Sequence, residues 1–178
     1  FSIAHVFVKN YHTNNTHYEL KKKKLIKIGM VGSLNVAFKG HDIALKILFF
    51  LKEKYKNKKI ILHLFGDGSH RKLNRYKYYS EIKNNIVHHN NINRIKLNKY
   101  YKKIDFFLQP SKEEGLGRAI IEICSYSKPI IASSVGGINE ILPSYCLSSP
   151  KNISKFKKLS ERIINDKKYY LKLSKKNM

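Results

Sequence analysis

Apolar residues recur along this chain in short runs separated by polar, glycine-bearing segments, and the runs alternate between two spacings. Continuous runs at 27–31, 59–65, 86–88, 106–109 and 129–132, with a further one at 145–147, have the length and β-branched content of strands buried on both faces. Between them, apolar residues return every three or four positions. That spacing predicts helices over 41–55, 69–83, 94–103, 118–127, 137–142 and 153–165, and a last one over 167–175. Strands and helices alternating in this way predict an α/β fold, a Rossmann-like, doubly wound parallel sheet with helices on both faces. The 178 residues suffice for one domain with a proper core. It is expected over 25–165, after a polar and basic linker over 1–24 that includes a short strand at 6–8, and before a helical tail over 166–178.

The segment from Ser111 to Glu122, SKEEGLGRAIIE, carries the most chemistry. It follows a buried strand closed by Pro110 and Ser111, and Gly115 and Gly117 allow backbone to approach a ligand closely before a helix begins at Arg118. Free N–H groups at a helix start favour phosphate, by a few tenths to about 1 kcal/mol for an exposed anion. Glu122 lies five residues beyond Gly117, roughly 7.5 Å along a helix, which suits a ribose one diphosphate-length from a sugar held near Glu114. A carboxylate accepts two hydrogen bonds, so a vicinal diol is its natural partner. The alternative is that Glu113 and Glu114 only favour the helix start while Glu122 is an exposed helical acid. A second strand leads into Val135-Gly136-Gly137-Ile-Asn-Glu140, and a first one, 25–31, runs into Gly32 and on to Lys39-Gly40. Such loops share the carboxyl edge of a parallel sheet, where ligands bind, and Lys39 is placed to reach a phosphate.

Gly32-Ser-Leu with Lys39-Gly40, Phe65-Gly-Asp-Gly68, Pro110-Ser-Lys-Glu-Glu-Gly-Leu-Gly117, Glu122, Lys128-Pro-Ile-Ile-Ala-Ser and Val135-Gly-Gly-Ile-Asn-Glu140 occur in one order along the chain. In that order and spacing the chain resembles the C-terminal, donor-binding domain of GT-B glycosyltransferases of the family-4 type, over roughly 25–142. The resemblance implies that Glu114 and Lys39 are catalytic, Glu114 toward the donor sugar's hydroxyls and Lys39 toward the departing diphosphate. It implies further that Gly32, Ser33, Gly115, Leu116 and Gly117 line the nucleotide sugar and that Glu122 holds the ribose. The family retains anomeric configuration and usually needs no metal or cofactor beyond its donor, a UDP- or GDP-sugar. A role in bacterial polysaccharide, capsule or lipopolysaccharide synthesis is expected. A nucleotide-sugar epimerase shares the sheet and is the alternative enzyme.

The chain departs from the family pattern in places. Ser33 stands where many relatives carry Arg, which either weakens the phosphate site or is compensated by another cation such as Arg118 or Arg71. Asn90 replaces a glycine, and Cys124-Ser-Tyr replaces a run of small residues. A GT-B enzyme also needs an N-terminal acceptor domain. Residues 1–24 cannot supply one, so the chain is expected to be a fragment, binding donor but transferring little by itself.

The formal net charge is +24, with 36 Lys and Arg against 12 Asp and Glu. Only five of the bases are Arg, and the excess of Lys, Asn, Ile and Tyr matches an A/T-rich coding bias, so solvated charge is the simplest account. The functional account is peripheral attachment to the anionic cytoplasmic face of a membrane through Lys21–Lys24, 52–59 or 151–158. Nucleic acid is not expected, because no motif accompanies the charge; a non-catalytic polyanion-binding module is the remaining alternative. Two cysteines outside any metal spacing suggest reduced, buried thiols and a cytoplasmic location. His88 and His89, adjacent on a strand, should point to opposite faces rather than share a metal. No apolar run is long enough to cross a bilayer, and Asn14-Asn-Thr16 is read as a chance glycosylation triplet.

Overall fold

The computed structural model describes residues 20–176. The strand expected at 6–8, the triplet at Asn14 and most of the 1–24 linker lie outside the described residues. Six parallel strands form one sheet: β1 (Leu25–Val31), β2 (Lys59–Phe65), β3 (Ile86–His89), β4 (Phe106–Gln109), β5 (Ile130–Ser133) and β6 (Leu147–Ser148), in the order β3-β2-β1-β4-β5-β6. Helices α1 (His41–Lys54), α2 (Tyr79–Ile82), α3 (Arg94–Lys103), α4 (Arg118–Cys124), α5 (Ile138–Ile141), α6 (Ile153–Asn165) and α7 (Lys167–Lys176) flank it. Right-handed crossovers put α1 and α2 on one face and, because the chain reverses direction after β3, α3 to α5 on the other.

The elements follow from burial. Every residue of β2 after Lys59 is buried, as its central position demands, and β1 buries Ile26, Ile28 and Met30 completely. Helix α1 turns Ile43, Leu45, Ile47, Leu48 and Leu51 inward and packs against α6, which contributes Phe156, Leu159, Ile163 and Ile164. Tyr101 of α3 is fully buried with its ring edge-on to Phe65, Phe107 and Tyr126. The tail packs back onto the domain: Tyr170 donates from its hydroxyl to the Asp105 carbonyl, Tyr169 to that of Tyr145, and Leu173 is buried.

Three expected elements differ. The helix predicted over 69–83 is broken into a 3₁₀ turn (His70–Arg75), α2 and a second 3₁₀ turn (Lys83–Asn85), with Tyr76 extended between them. Only Leu73 and Ile82 of that stretch are fully buried, nine positions apart, so no continuous apolar stripe holds one helix together. The strand expected at 145–147 begins only at Leu147, because Ser144–Cys146 closes a 3₁₀ turn first. Helix α4 is also shorter than predicted, ending at Cys124. Among the described residues no helix is long and apolar enough to cross a membrane.

Candidate functional site

Between β1 and β4 the strand connections depart in opposite directions, which opens a crevice at the carboxyl edge of the sheet. The loops that border it are laced together. Lys112 N–H donates to the Phe38 carbonyl at 2.6 Å. Gly40, at φ +78°, sits so close to Pro110 that a Cβ would fall 1.9 Å from its carbonyl oxygen. Beneath them the buried Gln109 amide donates to Val31 O at 2.7 Å and accepts from Val31 N at 3.2 Å, extending a β1–β4 pairing whose backbone register covers only two positions.

This lacing brings Lys39 and Glu114 together. The Lys39 ammonium lies 2.9 Å from Glu114 Oε2, and Ser111 Oγ donates to the same oxygen at 3.3 Å. Both side chains are largely shielded, at 22% and 15% exposure. The Lys39 stem runs over Gly32, whose absent Cβ would meet Lys39 Cβ and Cγ at 3.1 Å. A third loop closes the group from the β5 side. Gly137 N–H donates to Gly115 O at 2.8 Å, and Gly136, at φ +50°, leaves no room for a Cβ beside the Glu114 carbonyl. The backbone at 114–115 is therefore fixed, while Gly115 itself faces open space, with no atom within 4 Å of a Cβ position.

Next to it, Leu116 is 61% exposed, and no described acceptor takes the N–H groups of Leu116 and Gly117. Gly117 adopts φ +64° and starts α4. That helix has seven residues, so what this corner offers an anion is the unpaired N–H groups of exposed Leu116 and buried Gly117 more than the dipole of a long helix. Glu122, on α4, is half-buried, and its carboxylate has no hydrogen-bond or ion-pair partner among the described residues. It lies close enough to Tyr101 to help burial raise that phenol's pKa.

The two candidates for a second cation are not tied into the site by any described acid. Arg71 and Arg118 are both exposed and form no ion pair with a described acid. The base tied to the β1 loop is Lys72, which donates to Asn35 Oδ1 at 2.7 Å, while Asn35 N–H donates to Ser33 Oγ at 3.1 Å. Sequence reasoning missed Lys72, and it missed Gln109 and His41. His41 is buried at the first position of α1, and its imidazole pKa falls to about 4, chiefly through burial, against the opposing effect of a hydrogen bond with the Gly32 backbone. Its Nε2 has no described partner.

The other histidines behave as strand geometry requires. His89 pairs with His63 across the sheet at 2.9 Å, while His88 bonds to Gly66 O at 2.8 Å on the opposite side. Among the described residues no group of His, Cys, Asp and Glu could hold a metal ion. Cys124 and Cys146 are free thiols whose pKa burial pushes up to about 12.

Comparison with known proteins identifies the family. The family model described as Glycosyl transferases group 1 matches residues 13–177. Protein CapJ of Staphylococcus aureus is 34% identical over 145 residues, which are 81% of this chain and 37% of CapJ. The chain thus spans well under half the length of that relative. Among solved structures, the C-terminal domain of the group 1 glycosyl transferase LpcC from Francisella tularensis superposes with a TM-score of 0.72 at 20% identity, over 88% of this chain and 85% of that one. HepE from Anabaena, in complex with UDP, gives a TM-score of 0.70 at 18% identity, over 86% and 43%. Both structures share the fold described above.

Proposed function

The chain belongs to the group 1 glycosyltransferases, and on that premise we propose that it is the donor-binding half of a retaining sugar transferase of bacterial polysaccharide synthesis, acting on a UDP- or GDP-sugar at the cytoplasmic side of the membrane. The observation that carries the reading is the Lys39–Glu114 pair, set at the switch point of the sheet beside the unpaired N–H groups of Leu116 and Gly117. A nucleotide sugar satisfies each group. Its diphosphate takes the N–H groups of Leu116 and Gly117 and the Lys39 ammonium, with Gly32 and Ser33 beneath it. The sugar occupies the open space over Gly115, where Glu114 accepts from its hydroxyls. The ribose diol reaches Glu122, whose carboxylate is otherwise unpartnered.

Chemistry follows from charge. When the bond between the anomeric carbon and the diphosphate oxygen breaks, negative charge grows on the phosphate, and Lys39 and the fixed amides stabilise it without having to reorganise. Glu114 holds the sugar ring during that change. The acceptor and its activation belong to the N-terminal half of such an enzyme, so donor binding is the property to measure on this chain.

Calorimetric titration with UDP, GDP and their hexose adducts tests the reading. Saturable binding of one base series is expected, and uridine is the first to try because the HepE fold neighbour holds UDP. Equal failure of all members, or binding that follows only total anionic charge and vanishes in moderate salt, contradicts it and favours a polyanion-binding module.

A further inference from the structure

We infer that the outer face of α3 and the adjoining edge strand β3 form a docking surface for an anionic phospholipid membrane. From Ile82 to Ile104 the chain carries Lys83, Arg94, Lys96, Lys99, Lys102 and Lys103 and no acidic residue. Arg94, Lys96, Lys99 and Lys103 are exposed, and none forms an ion pair with a described acid. The same strip holds three of the five exposed large apolar side chains of the described residues: Val87, Ile95, which is 72% exposed, and Tyr100. They share one side of the sheet. Val87 and His89 are two apart on β3, and the His89 ring lies 4.3 Å from that of Tyr100.

Other basic segments lack this combination. In the runs singled out by sequence, Lys58 is spent on the carbonyls of Lys21 and Lys23, Lys52 on that of Glu81, Lys23 on Asp105, Lys54 on Glu161, and Lys157 lies over the Phe50 ring. Helix α7 is likewise basic and free of acids, but it buries Tyr169, Tyr170 and Leu173. A helix that presents several cations around an exposed isoleucine fits a surface that is both negative and partly apolar, which is the headgroup region of an anionic leaflet. Nucleic acid would use the charge but leave Ile95 and Val87 without a partner.

Co-sedimentation of the chain with vesicles of phosphatidylcholine, alone or with about one third phosphatidylglycerol, tests the proposal at physiological ionic strength. Binding to the anionic vesicles only is expected. Each lysine at such a surface is worth roughly fivefold in partitioning, so the Lys96→Gln/Lys99→Gln variant should lose about 25-fold. Ile95→Ser should lose several-fold with all charge retained, and Lys155→Gln/Lys158→Gln on α6 should lose much less than the α3 pair. All four lysines and Ile95 sit at positions that are not buried, and an unchanged melting temperature confirms intact folding. The proposal falls if the α3 variants bind as wild type, if the α6 pair loses as much as the α3 pair, if neutral vesicles bind equally, or if RNA rather than vesicles is bound through α3. None of these outcomes depends on donor binding.

Discussion

Lys39 Nζ and Glu114 Oε2 lie 2.9 Å apart, joining the loop after β1 to the loop after β4 across 75 positions of sequence. On the proposed reading, each group thereby occupies the face on which the other would meet the donor. A diphosphate that draws Lys39 away releases Glu114 to accept hydroxyl protons, so binding exchanges one set of charge-assisted contacts for another. Glu114→Gln is predicted to leave affinity for the free nucleoside diphosphate unchanged or tighter, because Lys39 is no longer held, and to weaken binding of the sugar adduct. Lys39→Met should weaken both by roughly tenfold or more, the scale of a lost charge-assisted hydrogen bond. Calorimetry on the two variants separates these patterns.

The glycines around the site fall into two kinds. Gly136 has φ +50°, and a Cβ there would collide with the Glu114 carbonyl, whereas Gly115 faces open space. Gly136→Ala is predicted to cost at least about 1–3 kcal/mol of stability from backbone strain. Gly115→Ala should melt like the wild type yet lose donor affinity, since its methyl would fill the space proposed for the sugar. A thermal melt beside a binding isotherm for each variant distinguishes the two.

Gln109 is a structural residue in a functional setting. Its buried amide satisfies both the N–H and the carbonyl of Val31, the last residue before Gly32. Gln109→Leu leaves those backbone groups unpaired, and each carries a desolvation penalty of about 1–3 kcal/mol. Urea unfolding should show a loss of about 2 kcal/mol or more, and hydrogen exchange at Val31 should accelerate.

Two buried histidines make stability depend on pH. The imidazoles of His41 and His63 are each held at about 4, in both cases chiefly by burial. Their ordinary value near 6.5 applies when unfolded. The unfolded chain therefore takes up protons first as pH falls. Stability is fully present above about pH 6.5 and drains away between 6.5 and 4, by up to about 3 kcal/mol for each group. Urea midpoints at pH 7.5, 6 and 5 should fall in that order, and His63→Phe should flatten the slope. A midpoint independent of pH would show that neither ring is buried neutral.

Much of the fold was legible because the sequence signals were local. Strands β2 and β4 and helices α3 and α6 begin and end where the apolar pattern changes, and Asn93 and Asn152 cap the two helices with their side chains. The stretch 69–83 misled because bases and tyrosines at helix-compatible spacing do not make a buried stripe. At the site, the resemblance drew attention to Lys39 and Glu114, and the structure supplies their contact. What it could not give were long-range relationships: the Gln109 bridge to Val31, the collision that confines position 136 to glycine, and the Lys72–Asn35–Ser33 chain beside the residue that replaces a family arginine. Each depends on packing between loops distant in sequence, which periodicity does not encode.

Glu122 is proposed to read the ribose of a nucleoside diphosphate seated against Lys39, and comparing the diphosphate the chain binds with its 2′,3′-dideoxy counterpart tests that role. Wild-type protein should lose at least about tenfold in affinity on removal of the diol, as expected when a carboxylate loses two hydrogen bonds. Glu122→Ala should bind both ligands equally, at the weaker value. If Glu122→Ala still distinguishes the two, or binds the ribose form as tightly as the wild type, the assignment of this half-site is wrong.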